Sequence, residues 1–298
     1  MTEPDPISQA APAAVAIPFL PDGRFVDLPG RGTTYIRQAQ GPPGAATVVL
    51  LHGWTVTADL NFFPAYASLS EHFNIVTLDH RGHGRGLRTN EPFRLEDCAD
   101  DVAVLIDTLG TGPVIIVGYS MGGAIAQLVC HRHPTLVKGV VLCSTARMFN
   151  GRAGEAVGFF GLAGLAALSR LAPEQARAWM AEQYLSRRSR SYEAWALEQV
   201  RGNDVVKMLE AGNAIGQFSS RAWIEFLTMP SAVIATMHDR TVPAGRQLRL
   251  ADSLPASELH RISAGHDACI SAADVWVPTL LNALHSVDQR SRHATENA

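Results

Sequence analysis

The sequence predicts an α/β protein built on a doubly wound, mostly parallel sheet flanked by helices. Short runs of β-branched and aliphatic residues recur along the chain, most followed by a helix-favouring stretch, which is the rhythm of strand, crossover and strand. Runs such as "VIIV" (114–117) and "GVVL" (139–142) are apolar throughout rather than alternating, as expected of strands covered on both faces. With 298 residues, 47% of them hydrophobic, the chain is long enough for one large core.

Taken in order, residues 1–30 read as a loose N-terminal arm. Their start, "MTEPDPISQAAPAAVAIPF", has acids, prolines and no basic residue ahead of its short apolar stretch, so it lacks a secretory-signal pattern. "TTYIRQA" (33–39) and "ATVVLL" (46–51) read as strands, "FFPAYASLSEH" (62–72) as a short helix and "NIVTLD" (74–79) as a strand. "RLEDCADDVAVLIDTLG" (94–110) is a helix stopped by Gly110; "PVIIVG" (113–118) is a strand; "MGGAIAQLVCHRH" (121–133) is a helix stopped by Pro134. "VKGVVLC" (137–143) is the next strand.

Some eighty helix-favouring residues then interrupt the rhythm, which resumes in step with "SAVIATM" (231–237), "AGRQLRLADSL" (244–254), "SELHRIS" (257–263) and "ADVWVPTLLNALH" (273–285). The expected organisation is therefore a core of residues 31–146 and 227–286, a helical insertion over 147–226 after the sixth strand, and a frayed polar tail over 287–298.

Composition removes several function classes. The 25 Lys and Arg against 28 Asp and Glu give a net charge of −3 and no basic stripe, so nucleic acid is not an expected partner. The apolar stretch 156–169 is shorter than the ~20 residues of a spanning helix, so no stable membrane insertion is expected. Four scattered cysteines without a C-x-x-C pair read as buried thiols in a reducing, cytoplasmic setting. His52, His80 and His83 form an incomplete ligand set, so neither a metal nor a cofactor is expected. A homo-oligomer is compatible with the sequence but not specified by it.

One serine stands apart. In "GYSMGG" (118–123), Ser120 falls between a buried strand and a helix, at the carboxyl end of the sheet where open α/β sheets bind ligands. G-x-S-x-G arises by chance in roughly one chain in ten of this length, so its position gives it weight. A tight turn there would expose the hydroxyl and aim the N–H of Met121 at the same point. "VVLLHGW" ends a strand in a turn whose Trp54 N–H would be a second donor to an oxyanion. Asp239 follows the strand "SAVIATM", and His266 follows "SELHRIS". Carboxyl ends of parallel strands share one rim, so Ser120, Asp239 and His266 can meet despite their separation. A hydroxyl needs a neighbouring base to become a nucleophile, and imidazole oriented by a carboxylate supplies one. Asp267 is a competitor for the acid, but its adjacency to His266 makes orientation of that ring awkward. The loop after "VVLC" has no carboxylate.

Over 35–285 the chain resembles the α/β-hydrolase fold family, through "HGW" (52–54), "DHRGHG" (79–84), "GYSMGG", "HDRTVP" (238–243) and "GHD" (265–267). The resemblance implies Ser120 as nucleophile, His266 as general base, Asp239 as its orienting acid, the N–H groups of Trp54 and Met121 as oxyanion hole, and the insertion as a helical cap. Arg85 and Gly86 stand where many relatives place a serine, and the short "HGW" turn argues against the glycine-triplet lipases and esterases. Phe159, Phe160, Trp179, Met180 and Tyr184 of the cap would line an apolar pocket; the same residues also suit a cap core.

The expected activity is hydrolysis of a carboxylic ester or lactone of a small to medium apolar substrate through an acyl-enzyme. Carbon–carbon bond hydrolysis, a cofactor-free perhydrolase and a ligand receptor on the same scaffold are the alternatives. Epoxide hydrolases and haloalkane dehalogenases carry aspartate at the position of Ser120.

Overall fold

A computed structural model of the chain describes residues 19–296 apart from 152, 174, 177, 178, 180–182, 184–193 and 256. Among these, eight strands form one sheet: β1 (Asp22–Leu28), β2 (Gly32–Ala39), β3 (Thr47–Leu51), β4 (Asn74–Leu78), β5 (Val114–Tyr119), β6 (Val137–Cys143), β7 (Ser231–Thr236) and β8 (Ser257–Ile262). Their order across the sheet is β1-β2-β4-β3-β5-β6-β7-β8. From β4 onward every pairing is parallel, whereas β1 with β2 and β2 with β4 are antiparallel. Only the β1–β2 link is a tight hairpin; parallel neighbours need a longer crossover.

The helices are α1 (Ala58–Phe62), α2 (Tyr66–Ser70), α3 (Leu95–Leu109), α4 (Met121–Arg132), α5 (Ala153–Leu171), α6 (Ala194–Arg201), α7 (Val205–Gln217), α8 (Ala244–Ser253), α9 (Ala268–Ser271) and α10 (Ala273–Glu296). One apolar layer fills the space between the sheet and α3, α4 and α8; a second packs α1, α2 and α10 on the opposite face. Every residue of β5 and β7 is buried, which is why these strands carry no polar alternation. Gly110 ends α3 in the left-handed conformation, φ 61°, with its N–H closing on Ile106 and Asp107.

The structure corrects the sequence reading at three places. The arm assigned to 1–30 contains β1, an edge strand that buries only Val26 and Leu28, so its polar composition reads as loop. The tail assigned to 287–298 is helix through Glu296. Val287 is fully buried against the sheet, and Asp288 pairs with Lys138 at 2.8 Å. The single helix over 62–72 is two helices parted at Phe63–Ala65, because Pro64 has no N–H to donate and α1 already starts at Thr57, whose hydroxyl caps Leu60.

Between β6 and β7 the described chain forms α5, α6 and α7, joined to the sheet by loops that meet at a bridge between Met148 and Ser219. There α5 packs on α7 at two glycines one turn apart: a Cβ on Gly212 would stand 2.5 Å from Leu162 Cδ1, and one on Gly216 would overlap Phe159. The cap is tied to the core through Glu210, which accepts from the Phe93 N–H at 2.9 Å and pairs with Lys207 and Arg170. No helix among the described residues is long and apolar enough to cross a membrane.

Candidate active site

Ser120 occupies the single residue between β5 and α4, at φ 54°, ψ −115°. Such a conformation costs a β-carbon residue about 1–3 kcal/mol and persists only where the surroundings over-determine it. Here its N–H donates to Cys143 O at 2.9 Å and its carbonyl accepts from Thr145 Oγ1 at 2.7 Å. The flanking glycines are forced: a Cβ on Gly118 would meet Gly123 Cα at 2.6 Å, and one on Gly122 would overlap the Leu51 carbonyl. These are backbone atoms of packed elements and cannot yield. Gly122→Ala is therefore expected to destabilise the fold by about 3 kcal/mol or more. Gly164→Ala, on α5 with open space around its Cα, should be neutral or slightly stabilising. Urea unfolding of the two variants reads the contrast directly, and equal midpoints would refute it.

The three rim residues meet. Ser120 Oγ lies 3.0 Å from His266 Nε2, and His266 Nδ1 lies 2.7 Å from Asp239 Oδ2. It is Asp239, not the adjacent Asp267, that holds the imidazole. The Asp239 carboxylate is fully engaged: Oδ1 accepts from the N–H groups of Thr241 and Val242, both at 2.8 Å, and Oδ2 lies 2.9 Å from Thr236 Oγ1 and 3.1 Å from Gln247 Nε2. Burial pushes this carboxyl upward. The hydrogen bond and charge of His266, with the Val242 amide and Thr236 hydroxyl, outweigh that push and hold it below the usual aspartate value. Asp239 thus stays ionised and keeps the Nδ1 proton in place, leaving Nε2 free to accept a proton from the serine. Tyr119 OH donates to the main-chain carbonyl of His266 at 2.7 Å, anchoring the loop that carries the ring.

The turn after β3 faces the same point. Gly53 packs against Ser120, its missing Cβ 3.5 Å from the serine Cβ, and its N–H is taken by Asn61 Oδ1 at 2.8 Å. His52 Nδ1 donates to the Gly53 carbonyl at 2.7 Å and Nε2 accepts from the His80 N–H at 2.9 Å, which shapes the turn and fixes the tautomer. Among the described residues no acceptor takes the main-chain N–H of Trp54 or Met121.

A family model described as the alpha/beta hydrolase fold matches residues 46–273. The chain belongs to the α/β-hydrolase fold family. RutD of Agrobacterium fabrum, provisionally named a carbamate hydrolase, is 31% identical over 252 residues, covering 82% of this chain and 95% of that protein. A poly(3-hydroxyalkanoate) depolymerase of Ectopseudomonas oleovorans is 25% identical over 263 residues, 84% of this chain and 88% of its own length. Among solved structures, the enol-lactonase from Burkholderia xenovorans LB400 superposes with a TM-score of 0.71 at 23% identity, covering 88% of this chain and all of that one.

In this α/β-hydrolase a cavity of about 550 Å³ opens over Ser120 and His266, roofed by cap residues. Leu162 of α5, Val200 of α6 and Val205, Met208 and Leu209 of α7 form an apolar roof, and Leu60 and Ile270 contribute from the core. Of the five pocket residues expected from sequence, the two whose side chains are described do not line this cavity. Phe159 is spent on packing against Gly216, Trp179 points to solvent with 65% of its surface exposed, and neither lines the cavity. Phe160 has no described side chain, and Met180 and Tyr184 lie outside the described residues. Helix α7, whose residues carry no motif, supplies the roof because its glycines let α5 and Trp54 press close. Cys269 lines the cavity too, but burial pushes its thiol up to about 12, so it is no rival nucleophile at neutral pH. Thr236, Gln247, Asn61 and Tyr119 escaped the sequence reading, since each acts through a partner remote in the chain or through an ordinary turn position.

Proposed function

We propose that the protein is a serine hydrolase that cleaves a carboxylic ester or lactone with a small to medium apolar acyl part through an acyl-enzyme. Ser120 Oγ attacks the carbonyl carbon while its proton passes to His266 Nε2. Asp239 supports the imidazolium, and the N–H groups of Trp54 and Met121 hold the oxyanion. His266 then returns the proton to the leaving alcohol; water, deprotonated by the same ring, releases the acid. The observation that carries this reading is the unbroken contact from Ser120 through His266 to a satisfied Asp239, at the floor of a mostly apolar cavity.

The test is a panel of p-nitrophenyl esters of rising chain length, a lactone and an aryl carbamate, alongside labelling by a fluorophosphonate. Turnover is expected to peak at a short or medium acyl chain, with the label on Ser120. A folded protein that neither labels nor turns over any member would sink the proposal. Because Val205 borders the cavity while half-exposed, Val205→Phe can grow into the space. It is expected to lower kcat/KM for octanoate relative to butyrate about tenfold, and an unchanged ratio would place the acyl chain elsewhere.

A further inference from the structure

The turn between α6 and α7 of the cap places Asn203 against two core loops at once. Its Oδ1 accepts from the Gly84 N–H at 2.7 Å, and its Nδ2 donates to the Thr55 carbonyl at 2.9 Å. An N–H on one side and a carbonyl on the other fix which way the amide faces. Thr55 is the residue next to Trp54, and it is one of three non-glycine residues at positive φ among those described, at 66°. A β-branched side chain is a poor occupant of that region, so something must hold it there. The same cap segment grips this loop a second time, for Trp54 Nε1 donates to Met208 O at 2.8 Å. On the other side, Asp204 N–H donates to Gly82 O at 2.8 Å, seating the turn on the 79–85 loop. That loop supports the residues after Thr55, because Asp79 Oδ1 accepts from the Ala58 N–H at 3.0 Å.

We infer that Asn203 is a positioning residue for the oxyanion hole: a cap side chain that pins Thr55 in its left-handed conformation and so aims the preceding Trp54 N–H at the substrate. The inference rests on the serine-hydrolase reading above. It makes the donor pair complete only when the cap is seated, and it assigns the cap a part in the chemical step beyond shaping the pocket.

Asn203→Asp separates the two bonds, since a carboxylate still accepts from Gly84 but cannot donate to Thr55. With p-nitrophenyl butyrate, kcat is expected to fall roughly 10- to 100-fold, less than the full loss of an oxyanion donor, with KM changed less than threefold. The rate of fluorophosphonate labelling should fall in parallel. Asn203→Ala loses both bonds and should lose at least as much. Thr55→Gly in the Asn203→Asp background removes the conformational penalty and should recover fivefold or more, a rescue that mere glue between cap and core would not produce. Hydrogen exchange followed by mass spectrometry should quicken over residues 53–60 in Asn203→Asp and stay unchanged over β5 and α4. A kcat within twofold of wild type in either single variant, a loss confined to KM, or unchanged exchange over 53–60 would each overturn the assignment. Failure of the underlying reading shows differently: the wild-type protein itself would then take no label and turn over no ester, and the assignment would fall with it.

Discussion

Ser120→Ala is expected to lower kcat for the best ester of the panel by on the order of 10⁶, the scale of nucleophile loss in other serine triads. The substitution deletes one oxygen and little else. Alanine bears the same Cβ, so the cost of φ 54° is unchanged, and the contacts that hold the turn come from the main chain of Ser120, not its hydroxyl. His266 Nε2 loses its partner, yet a quarter of that side chain is exposed and water can serve it. Thermal stability should therefore move by no more than a couple of degrees, while fluorophosphonate labelling vanishes. Residual turnover would report what the oxyanion donors and binding achieve alone. A tenfold loss or less would show that Ser120 is not the nucleophile.

A steep loss of stability below pH 6.5 is the second large effect, and its source is the histidine cluster behind the turn after β3. His52, His80 and His83 are all but inaccessible, with ring centroids 4.3 Å apart for His52 and His80 and 5.2 Å for His52 and His83. Burial lowers all three. The neighbouring rings push His80 and His83 further down, and the pull of Asp79 on His52 does not reverse the shift. Geometry agrees with neutral rings: His52 Nε2 already accepts an amide N–H, and among the described residues nothing partners either nitrogen of His80 or the Nε2 of His83.

The unfolded chain binds three protons below about pH 6.5 that the folded one refuses. Stability is thus full above that value and falls as pH drops from it, by up to about 1.4 kcal/mol per unit for each ring. Together the three rings set an upper limit of roughly 4 kcal/mol per unit, reached only while the pH stays above their lowered folded values. Against a typical 5–15 kcal/mol of total stability, that loss removes a large share before Asp239, Asp100 and Asp288 begin to lose their own low-pKa stabilisation. Urea titrations at pH 7, 6 and 5 measure the slope. A change below about 1 kcal/mol per unit would mean that the rings accept protons in place.

How much of this was legible beforehand follows from what local sequence can encode. The parallel core was, because β3, β5, β6 and β7 are covered on both faces and must be apolar at nearly every position. Ser120 was, because a strained turn needs small neighbours at fixed offsets, and Gly118 and Gly122 stand in the text as plainly as in the structure. Asp239 and His266 were found by their place after strands, a topological argument that needs no contact information. Residues 22–28 and 287–296 were misread because their burial depends on what lies beside them: two apolar side chains suffice for an edge strand, and a polar helix can still bury Val287.

The cap shows the other limit. Its apolar residues were visible, but Phe159 faces a glycine of α7 and Trp179 faces solvent, and only packing decides between core, pocket and surface. Asn203 bears no mark in the sequence, since an asparagine in a polar turn is unremarkable until the fold sets Gly84 on one side of it and Thr55 on the other. The amino-acid order alone determined the layered sheet, the serine turn and the three residue types on its rim, all of which rest on spacing along the chain. The tertiary structure decided how closely Asp239 meets the imidazole, which side chains roof the cavity and what holds the turn after β3, because these depend on distances between segments that the chain separates by up to about 150 residues.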